Sequence, residues 1–426
     1  MKRQTVRNII SSICFIIVFV FAFSKVSVLL ERKNSRIGYS EFWEEPEGYD
    51  VWLLGTSHMR QGVQAVELYG EYKIASYCLA STSNPIPQTY WTFVNALQYA
   101  EPKVVVMDCF HVVKDGKTPE KEMNMHNGMD SIPFSLTKVQ MVNDLFEERE
   151  KRIEHLFDFY IYHNRWDQLG ANDLSPKKSL LKGGVIISKI QDMSAYGVVD
   201  ETDMCGTDSL GYEYLRRIIE KCQEKKIPLV LTAIPCCVGD EEQRGMNAVA
   251  KVAEEYHVPF LNMIYRKELP IDFQVDFHDE GHLNWAGGQK STRYIGKYLI
   301  ENFPSLRDGV SKETARDWDA HYLAYKKQKI QWLKGESRID RFLLRLYDDD
   351  FSCDLYQREE KEQDIVLEKL LAQIPDLHRM TYEEAASVAG ANPEMDFAVV
   401  VRDKESEKIV DTAVFKDGKR EKKKRR

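Results

Sequence analysis

The sequence predicts an α/β protein, with a three-layer α/β/α arrangement in which helices cover both faces of a doubly wound parallel sheet. Short apolar runs rich in β-branched residues alternate with longer segments whose apolar residues recur at helical spacing. Runs that are apolar at nearly every position are typical of strands buried on both faces, as parallel strands are. Because the alternation extends from about residue 50 to residue 304, with one interruption at residues 112–205, we expect one sheet with helices on both faces.

The predicted elements follow one another in the order that such a sheet requires. Strands are predicted at residues 51–54, 73–80, 103–109, 228–234 and 259–262. Helices are predicted at residues 88–100, 208–226, 240–256 and 285–302, and another is expected to begin near Gln61. Together these elements predict an α/β domain over residues 31–310.

The alternation stops between residues 112 and 205, which we predict to be a helical insertion. Helical spacing is present at residues 136–156 and is followed by a cluster of aromatic residues at 157–166. The insertion is a candidate lid or substrate wall over the carboxyl-end face of the sheet, since long inserted segments often carry function. The alternative is that its aromatic residues simply form a core.

The amino terminus predicts a membrane anchor. Residues 1–8 are basic, residues 9–30 are almost wholly apolar, and basic residues follow. This length suits a single membrane-spanning helix, and the basic start favours a cytoplasmic amino end with the body outside the cell. A cleavable signal peptide with a site at Ala22-Phe23-Ser24 is the alternative, although the apolar stretch exceeds a typical signal core of about 7–15 residues.

The carboxyl-terminal part differs in character. Residues 311–334 and 338–347 have helical patterns, and residues 397–401 and 409–415 resemble two strands of a hairpin. We therefore expect an α+β appendage over residues 311–418 with no recognisable chemistry. Residues 419–426 are a run of basic residues, which predicts a solvated, disordered tail; contact with an anionic wall polymer or lipid surface is the alternative.

Composition excludes several classes of protein. The net charge of −8 argues against a nucleic-acid-binding protein, because no basic face balances it. The 8 cysteines are scattered and form neither a C-x-x-C pair nor a zinc-finger spacing. We expect no disulfide scaffold, no structural metal site and no cofactor.

Ser57 lies at the most informative position in the chain. It follows the strand at residues 51–54 and Gly55, and it precedes the helix that begins near Gln61. Ligands bind at the carboxyl ends of strands in open α/β sheets, and the free N–H groups of a helix start can stabilise an oxyanion. Ser57 is therefore a candidate nucleophile. The alternative is that Thr56 and Ser57 only cap the helix.

A serine nucleophile needs a base and an acid that orients the base. Asp279 and His282 are three residues apart in a turn before the last predicted helix of the α/β domain, and residues so spaced on one helical turn lie side by side. Two other pairs share this spacing. Glu254 and His257 fall at the wrong edge of the sheet, whereas Asp108 and His111 fall at the correct edge and compete. A metal site formed by His278, His282 and either Asp276 or Asp279 is a further alternative.

These motifs resemble those of a known family. Residues 55–58, G-T-S-H, are similar to the first block of the SGNH/GDSL hydrolase superfamily, and residues 279–284, D-E-G-H-L-N, to its last block. The segments L-G-T-S-H, L-A-S-T-S-N-P-I-P-Q-T-Y, K-V-V-V-M-D, Y-H-N-R-W and F-H-D-E-G-H-L-N-W-A-G resemble a group of membrane-anchored, SGNH-like proteins of Gram-positive bacteria. The resemblance implies a flavodoxin-like SGNH fold with Ser57 as nucleophile, His282 as general base and Asp279 as its orienter.

The sequence departs from the superfamily pattern at the oxyanion hole. The second block usually supplies a glycine N–H, where this chain has Ser83 and Asn84, and the third usually supplies an asparagine, where this chain has Asp108-Cys109-Phe110-His111. Loss of one oxyanion donor typically costs about 10²–10³ in rate. The candidate oxyanion or substrate-binding residues are Ser83, Asn84, His111 and His58.

Three functional hypotheses follow. The first is an exported, membrane-anchored serine ester hydrolase or O-acetyltransferase that acts on acyl groups of a cell-surface glycan or wall polymer, with a membrane-bound protein as a candidate acyl donor. The second is a catalytically degenerate SGNH-like binding or scaffold protein in the assembly of such polymers, because fold does not fix function. The third is the metal site described above.

Overall fold

The structure is a computed structural model that describes residues 2–31, 40–157, 159–174, 179–196, 199–264, 266–307, 309–358, 364–390 and 392–421. Twelve strands occur in the described residues: β1 Val51–Leu54, β2 Ser76–Cys78, β3 Val104–Asp108, β4 Leu229–Ala233, β5 Phe260–Asn262, β6 Phe277–Asp279, β7 His282–Leu283, β8 Phe351–Gln357, β9 Leu377–Arg379, β10 Phe397–Asp403, β11 Ile409–Lys416 and β12 Lys419–Arg420.

The helices of the described residues fall into three groups. The amino-terminal group, as far as the third strand, comprises α1 Lys2–Leu30, α2 Ser40–Glu44, α3 Ser57–Gly62, α4 Ala65–Tyr72 and α5 Ile86–Ala96. The middle group comprises α6 Glu122–Met129, α7 Leu136–Leu145, α8 Arg149–Leu156, α9 Phe159–Tyr162, α10 Ala171–Leu174, α11 Leu210–Lys225, α12 Asp240–Glu255 and α13 Trp285–Asn302. The last group comprises α14 Pro304–Arg307, α15 Lys312–Gly335, α16 Ile339–Arg345, α17 Ile365–Gln373 and α18 Tyr382–Ala389.

Strands β1 to β5 form a parallel sheet in the order β2-β1-β3-β4-β5. The prediction of an α/β fold with a parallel sheet is confirmed. This strand order is one of the two common orders of doubly wound sheets, and such sheets bind ligands where the order reverses, here between β1 and β3. The site described below follows the carboxyl ends of these two strands.

Both faces of the sheet are covered by helices. Alternate residues of β1 enter two different hydrophobic clusters, because side chains along a strand point to opposite faces. Trp52 and Leu54 pack with α5, α11 and α12 on one face, whereas Val51 and Leu53 pack with α3, α4 and α13 on the other. The nearly unbroken apolar character of the strand runs follows from this two-sided burial.

The predicted helical insertion is helical only in its first part. Helices α6 to α10 occur within residues 122–174, but the described residues from 179 to 205 contain no helix or strand. Residues 182–191 instead bond the body directly: the Cys78 N–H donates to Lys182 O, and the Val185 N–H donates to Arg60 O. Gly183 allows this approach, since a Cβ there would lie 2.1 Å from the carbonyl oxygen of Cys78.

Helix α1 includes the predicted anchor and continues into the basic segment before it. One helix of the described residues, Gln4–Leu30, is long and apolar enough to cross a membrane, a property that a signal sequence shares. The aromatic residues of the insertion are not a simple core, because Phe157, Tyr160 and Trp166 are exposed. Phe159 contacts Phe23 of α1, with ring centroids 4.7 Å apart.

Strands β8 to β12 form a second sheet in the order β12-β11-β10-β8-β9, and β10 pairs with β11 as an antiparallel hairpin. The predicted disordered tail starts too early, since Lys419–Arg420 form β12 and the Arg420 guanidinium binds the carboxylate of Asp411; residues 422–426 lie outside the described residues. The second sheet shares one hydrophobic cluster with Val66 and Trp285 of the α/β part. The predicted domain boundary near residue 311 therefore does not separate two independent cores.

Candidate active site

The turn after β1 places Ser57 at the start of α3. Gly55 has φ +133°, and a Cβ there would lie 2.9 Å from Cβ of Asp108, so only glycine fits between β1 and β3. The Thr56 hydroxyl oxygen accepts the His58 N–H at 3.2 Å and caps the helix. The capping alternative thus applies to Thr56, and the half-buried Ser57 hydroxyl is free to bind elsewhere.

Asp279 and His282 are cross-strand neighbours rather than neighbours on a helical turn. Strands β6 and β7 form a short antiparallel ribbon in which Asp279 pairs with His282. Directly opposed residues of such a ribbon bring their side chains together. Asn284 fixes the ribbon, because its amide donates to the carbonyl oxygens of Val275 and Phe277 while its oxygen accepts the Gly287 N–H at the start of α13.

The three predicted catalytic side chains form one hydrogen-bonded chain. His282 Nε2 lies 2.8 Å from Ser57 Oγ, and His282 Nδ1 lies 2.8 Å from Asp279 Oδ1. A carboxylate on Nδ1 holds that proton in place and leaves Nε2 as an acceptor for the serine proton. Both distances are within the range of a functional nucleophile–base pair.

The pKa of Asp279 lies below its ordinary value. Burial opposes its ionisation, but the nearby His282 and the hydrogen bond between them outweigh this and lower its pKa below the ordinary value. The second oxygen of Asp279 lies 3.2 Å from His278 Nδ1, and His278 Nε2 binds the Gln61 side-chain oxygen. Burial lowers the pKa of His278 below the ordinary value, although the neighbouring Asp279 carboxylate acts in the opposite direction.

Asp108, the competing acid, holds structure together and does not contact His111. Its carboxylate accepts the Ile234 N–H and the Thr56 hydroxyl, each at 3.2 Å. The group is fully buried, and this burial raises its pKa to about 7. The Asp108–His111 pair is therefore not an acid–base pair in this structure, and Asp108 instead positions the residue that caps α3.

The side-chain donor groups of Asn84 and His111 are both engaged in hydrogen bonds within the protein. The Asn84 amide donates to Gly55 O at 3.3 Å and to the Thr89 hydroxyl at 2.9 Å, which uses both of its N–H groups. His111 Nδ1 donates to Asn84 O at 3.2 Å, and burial lowers the pKa of the ring to about 4. Since a neutral imidazole has one N–H, His111 Nε2 carries no proton. Neither side chain offers a donor to an oxyanion.

Backbone donors remain available beside Ser57. Within the described residues, the N–H groups of Ser57 and Ser83 donate to no protein acceptor. Ser83 is exposed and has φ +52°, the left-handed conformation that favours glycine, and Ser81 N–H anchors its loop to Gly55 O at 3.2 Å. These two N–H groups are the candidate oxyanion donors that the site retains.

His58 packs against His282. Its ring centroid lies 5.2 Å from that of His282 and 4.2 Å from that of Phe110, and burial lowers its pKa well below the ordinary value. A Cβ on Gly281 would lie 3.4 Å from His58 Nε2, so the ribbon turn also touches this ring. Among the described residues, the buried Nδ1 of His58 has no hydrogen-bond partner.

The remaining alternatives separate by geometry. Glu254 and His257 are exposed and lie just before β5, at the edge away from Ser57. Asp276 is fully buried and pairs with Lys290 at 2.6 Å, so it cannot join a metal site with the two histidines. His278, Asp279 and His282 each offer a ligand atom within 4.8 Å of the others, which makes them able to hold a metal ion.

Sequence reasoning missed the contacts that support these residues. Gln61 and the bridge from Thr56 through Asp108 to Ile234 join segments far apart in the chain. The only available signal was the position of Asp108 at the end of a buried strand run.

Comparison with known proteins adds no family assignment. No family model matches the chain, and no curated protein matches it.

Proposed function

We propose that this chain is an exported, membrane-anchored serine ester hydrolase or O-acetyltransferase of SGNH type that acts on acyl groups of a cell-surface polysaccharide or wall polymer. The observation that carries the proposal is the continuous hydrogen-bonded chain from Ser57 Oγ through His282 to Asp279. The order of these residues along the chain and the strand order of the sheet agree with the SGNH resemblance.

The reaction would proceed in two halves. Ser57 Oγ attacks the acyl carbonyl carbon while His282 Nε2 takes the hydroxyl proton, and His282 then returns that proton to the departing alkoxide. The acyl group stays on Ser57 until a second hydroxyl attacks the acyl carbon while His282 Nε2 takes its proton; the bond to Ser57 Oγ then breaks and Oγ receives that proton. Water gives hydrolysis and a sugar hydroxyl gives transfer, so both activities share the acyl-enzyme. The N–H groups of Ser57 and Ser83 would stabilise the oxyanion, with no cofactor involved.

The membrane-anchored location rests on α1 and its surroundings. Phe23 near the end of α1 packs on Phe159, and the Arg165 guanidinium donates to Leu30 O. The exposed Tyr160 and Trp166 lie in this same part of the insertion, and such aromatic residues favour the membrane–water interface. This arrangement fits a domain that lies on the outer face of the cell membrane. A membrane-bound acyl donor protein and a surface glycan would contact the domain there.

The binding or scaffold function remains the second candidate. The observation that favours it is the engagement of both Asn84 amide N–H groups and of His111 Nδ1 by structural acceptors. With backbone donors alone, the reaction would be about 10²–10³-fold slower than at a site with one more donor. The intact serine–histidine–aspartate chain would then be retained without catalysing a reaction.

Covalent labelling decides between the two candidates. The full chain, purified in detergent micelles, is treated with a fluorophosphonate and digested, and the adduct is located by mass spectrometry. We expect one phosphonyl adduct, on Ser57, that is absent when the chain is heat-unfolded before treatment. If the folded chain takes up no label, or takes it up elsewhere, the serine-enzyme proposal fails and the scaffold function is favoured.

An Asp279→Asn variant is expected to label about 10²–10³-fold more slowly than the wild-type chain, because the amide no longer fixes the proton on His282 Nδ1. We expect a smaller loss than for a fully buried aspartate, since the Asp279 side chain is 43% exposed and solvent screens its charge. The measurement is the second-order rate constant of fluorophosphonate labelling.

Glu280→Gln is the matched control for this prediction. It neutralises the adjacent carboxylate in the same turn, which among the described residues accepts one side-chain hydrogen bond, from the Tyr196 hydroxyl at 2.7 Å. The control is expected to label at the wild-type rate. Equal losses in the two variants would mean that the negative charge of the turn, and not the orientation of His282, supports the reaction.

A further inference from the structure

A second cluster of ligand-type side chains lies in the helical insertion, apart from Ser57. His126 and Asp130 are four residues apart and share one face at the end of α6, and His155 reaches them from α8. Each residue offers one ligand atom, and these atoms lie within 4.8 Å of one another. His126 Nδ1 already lies 3.0 Å from Asp130 Oδ1.

His155 has no hydrogen-bond partner for either ring nitrogen among the described residues, although its side chain is only 1% exposed. The ring is held between Phe146 and His126, with ring centroids 4.4 Å away on each side. A buried polar group without a hydrogen-bond partner destabilises the fold. One ring nitrogen of His155 thus lies within 4.8 Å of the ligand atoms of His126 and Asp130, and the described residues leave both of its ring nitrogens without a hydrogen bond.

We infer that His126, Asp130 and His155 bind a Zn²⁺ ion that joins α6 to α8. Two imidazole nitrogens and one carboxylate oxygen are ordinary zinc ligands, and a water molecule would complete a tetrahedral sphere. The Tyr162 hydroxyl donates to Asp130 Oδ2 at 2.5 Å and holds the carboxylate in place. Such contacts from a neighbouring side chain orient ligands in known metal sites.

Ion binding would require His155 to rearrange. A tetrahedral ion with bonds of about 2.0–2.1 Å holds its ligand atoms about 3.3 Å apart. The His126–Asp130 separation already suits this geometry, so His155 would move toward the pair and tilt its ring out of the stack. The ion replaces the proton that His126 and Asp130 share, and that proton leaves to solvent. The site would have a structural role, because it would cross-link α6, α8 and, through Tyr162, α9.

Metal binding by the full chain tests this inference. The chain is purified in detergent, freed of metal with EDTA and dialysed against Zn²⁺, all in a His282→Asn background so that the cluster beside Ser57 cannot bind. We expect one bound Zn²⁺ per chain, an X-ray absorption spectrum with two imidazole ligands, and a higher unfolding temperature with Zn²⁺ than without it.

His155→Asn and His163→Asn, each made in that background, form the matched pair. His163 is an exposed histidine of the same insertion whose Nδ1, among the described residues, bonds the carbonyl oxygen of Tyr160 alone. We expect His155→Asn to lose the bound Zn²⁺ and the rise in unfolding temperature, and His163→Asn to keep both. The inference fails if the His282→Asn chain retains no Zn²⁺, if its spectrum shows fewer than two imidazoles, or if His155→Asn binds as well as His163→Asn. The spectrum of the parent chain decides the matter even if His155→Asn does not fold.

Discussion

The Ser57→Ala variant is expected to hydrolyse p-nitrophenyl acetate with a kcat/KM about 10⁴-fold below that of the wild-type chain. Loss of the nucleophile in a complete triad costs about 10⁶. The wild-type rate of a site that lacks one oxyanion donor is about 10²–10³-fold lower. Loss of the nucleophile therefore lowers that rate by a smaller factor. The fold is expected to survive, because Thr56 and not Ser57 caps α3. The measurement is the initial rate at several substrate concentrations, corrected for hydrolysis in buffer.

Ser81→Ala is the matched control for this change. Ser81 lies in the loop that faces Ser57 across Gly55, and its buried hydroxyl has no hydrogen-bond partner among the described residues. Removing that hydroxyl forfeits no bond, so the rate and the unfolding temperature should both remain at the wild-type level. If Ser57→Ala retains the wild-type rate, any hydrolysis arises at another group and the proposed mechanism is wrong.

The parallel sheet could be predicted because burial on both faces leaves a strong local signal. The runs that become β3 and β4 are apolar at almost every position, and the helices that follow have clear amphipathic spacing. The described residues from 179 to 205 left no such signal. Their backbone groups bond to the body, as at Lys182 and Gly183, and only the assembled tertiary structure specifies those partners.

The site was predictable in part for a different reason. Ser57 lies in a short strand–turn–helix segment, and Asp279 and His282 lie together in another short segment. Each segment could be recognised from its own residues, and the residue types and their order indicated a shared function. The error about Asp279 and His282 came from the spacing, because a separation of three residues suits both a helical turn and a two-stranded turn. The donors opposite Ser57 could not be assigned from sequence, since the bonds of Asn84 and His111 depend on how their loops pack.

Buried charge is the feature that sequence reasoning missed most completely. Lys329 of α15 is 3% exposed, and its Nζ lies 3.1 Å from Glu67 of α4, 2.8 Å from Asp348 and 2.7 Å from Asp350. One lysine among many on a charged helix carries no local sign of such partners. Lys329 and Glu67 are 262 residues apart in the sequence. The contacts of Lys329 connect the residues just before β8 to α4.

Lys329→Met is expected to destabilise the chain by about 3–5 kcal/mol at neutral pH, because three carboxylates lose their buried counter-charge. Burial, together with Glu67 and Asp350, already raises the pKa of Asp348 to about 7 despite Lys329, and removal of the lysine raises it further. The folded variant then binds more protons than the unfolded chain, so its stability falls as pH rises. The unfolding temperature, followed by tryptophan fluorescence, should show a larger loss at pH 8 than at pH 5.

Lys327→Met tests whether burial, and not the loss of a lysine from α15, causes this effect. Lys327 is exposed on the same helix, so its replacement is expected to leave the unfolding temperature unchanged at both pH values. A Lys329→Met/Asp348→Asn double variant should recover part of the loss, since it removes one of the uncompensated charges. Equal effects of the two single variants would refute a role for the buried network. A further outcome is that Lys329→Met unfolds in two steps, and that the second sheet unfolds first. The residues after the predicted boundary near residue 311 would then form a separate unfolding unit, which the bonds of Lys329 attach to α4.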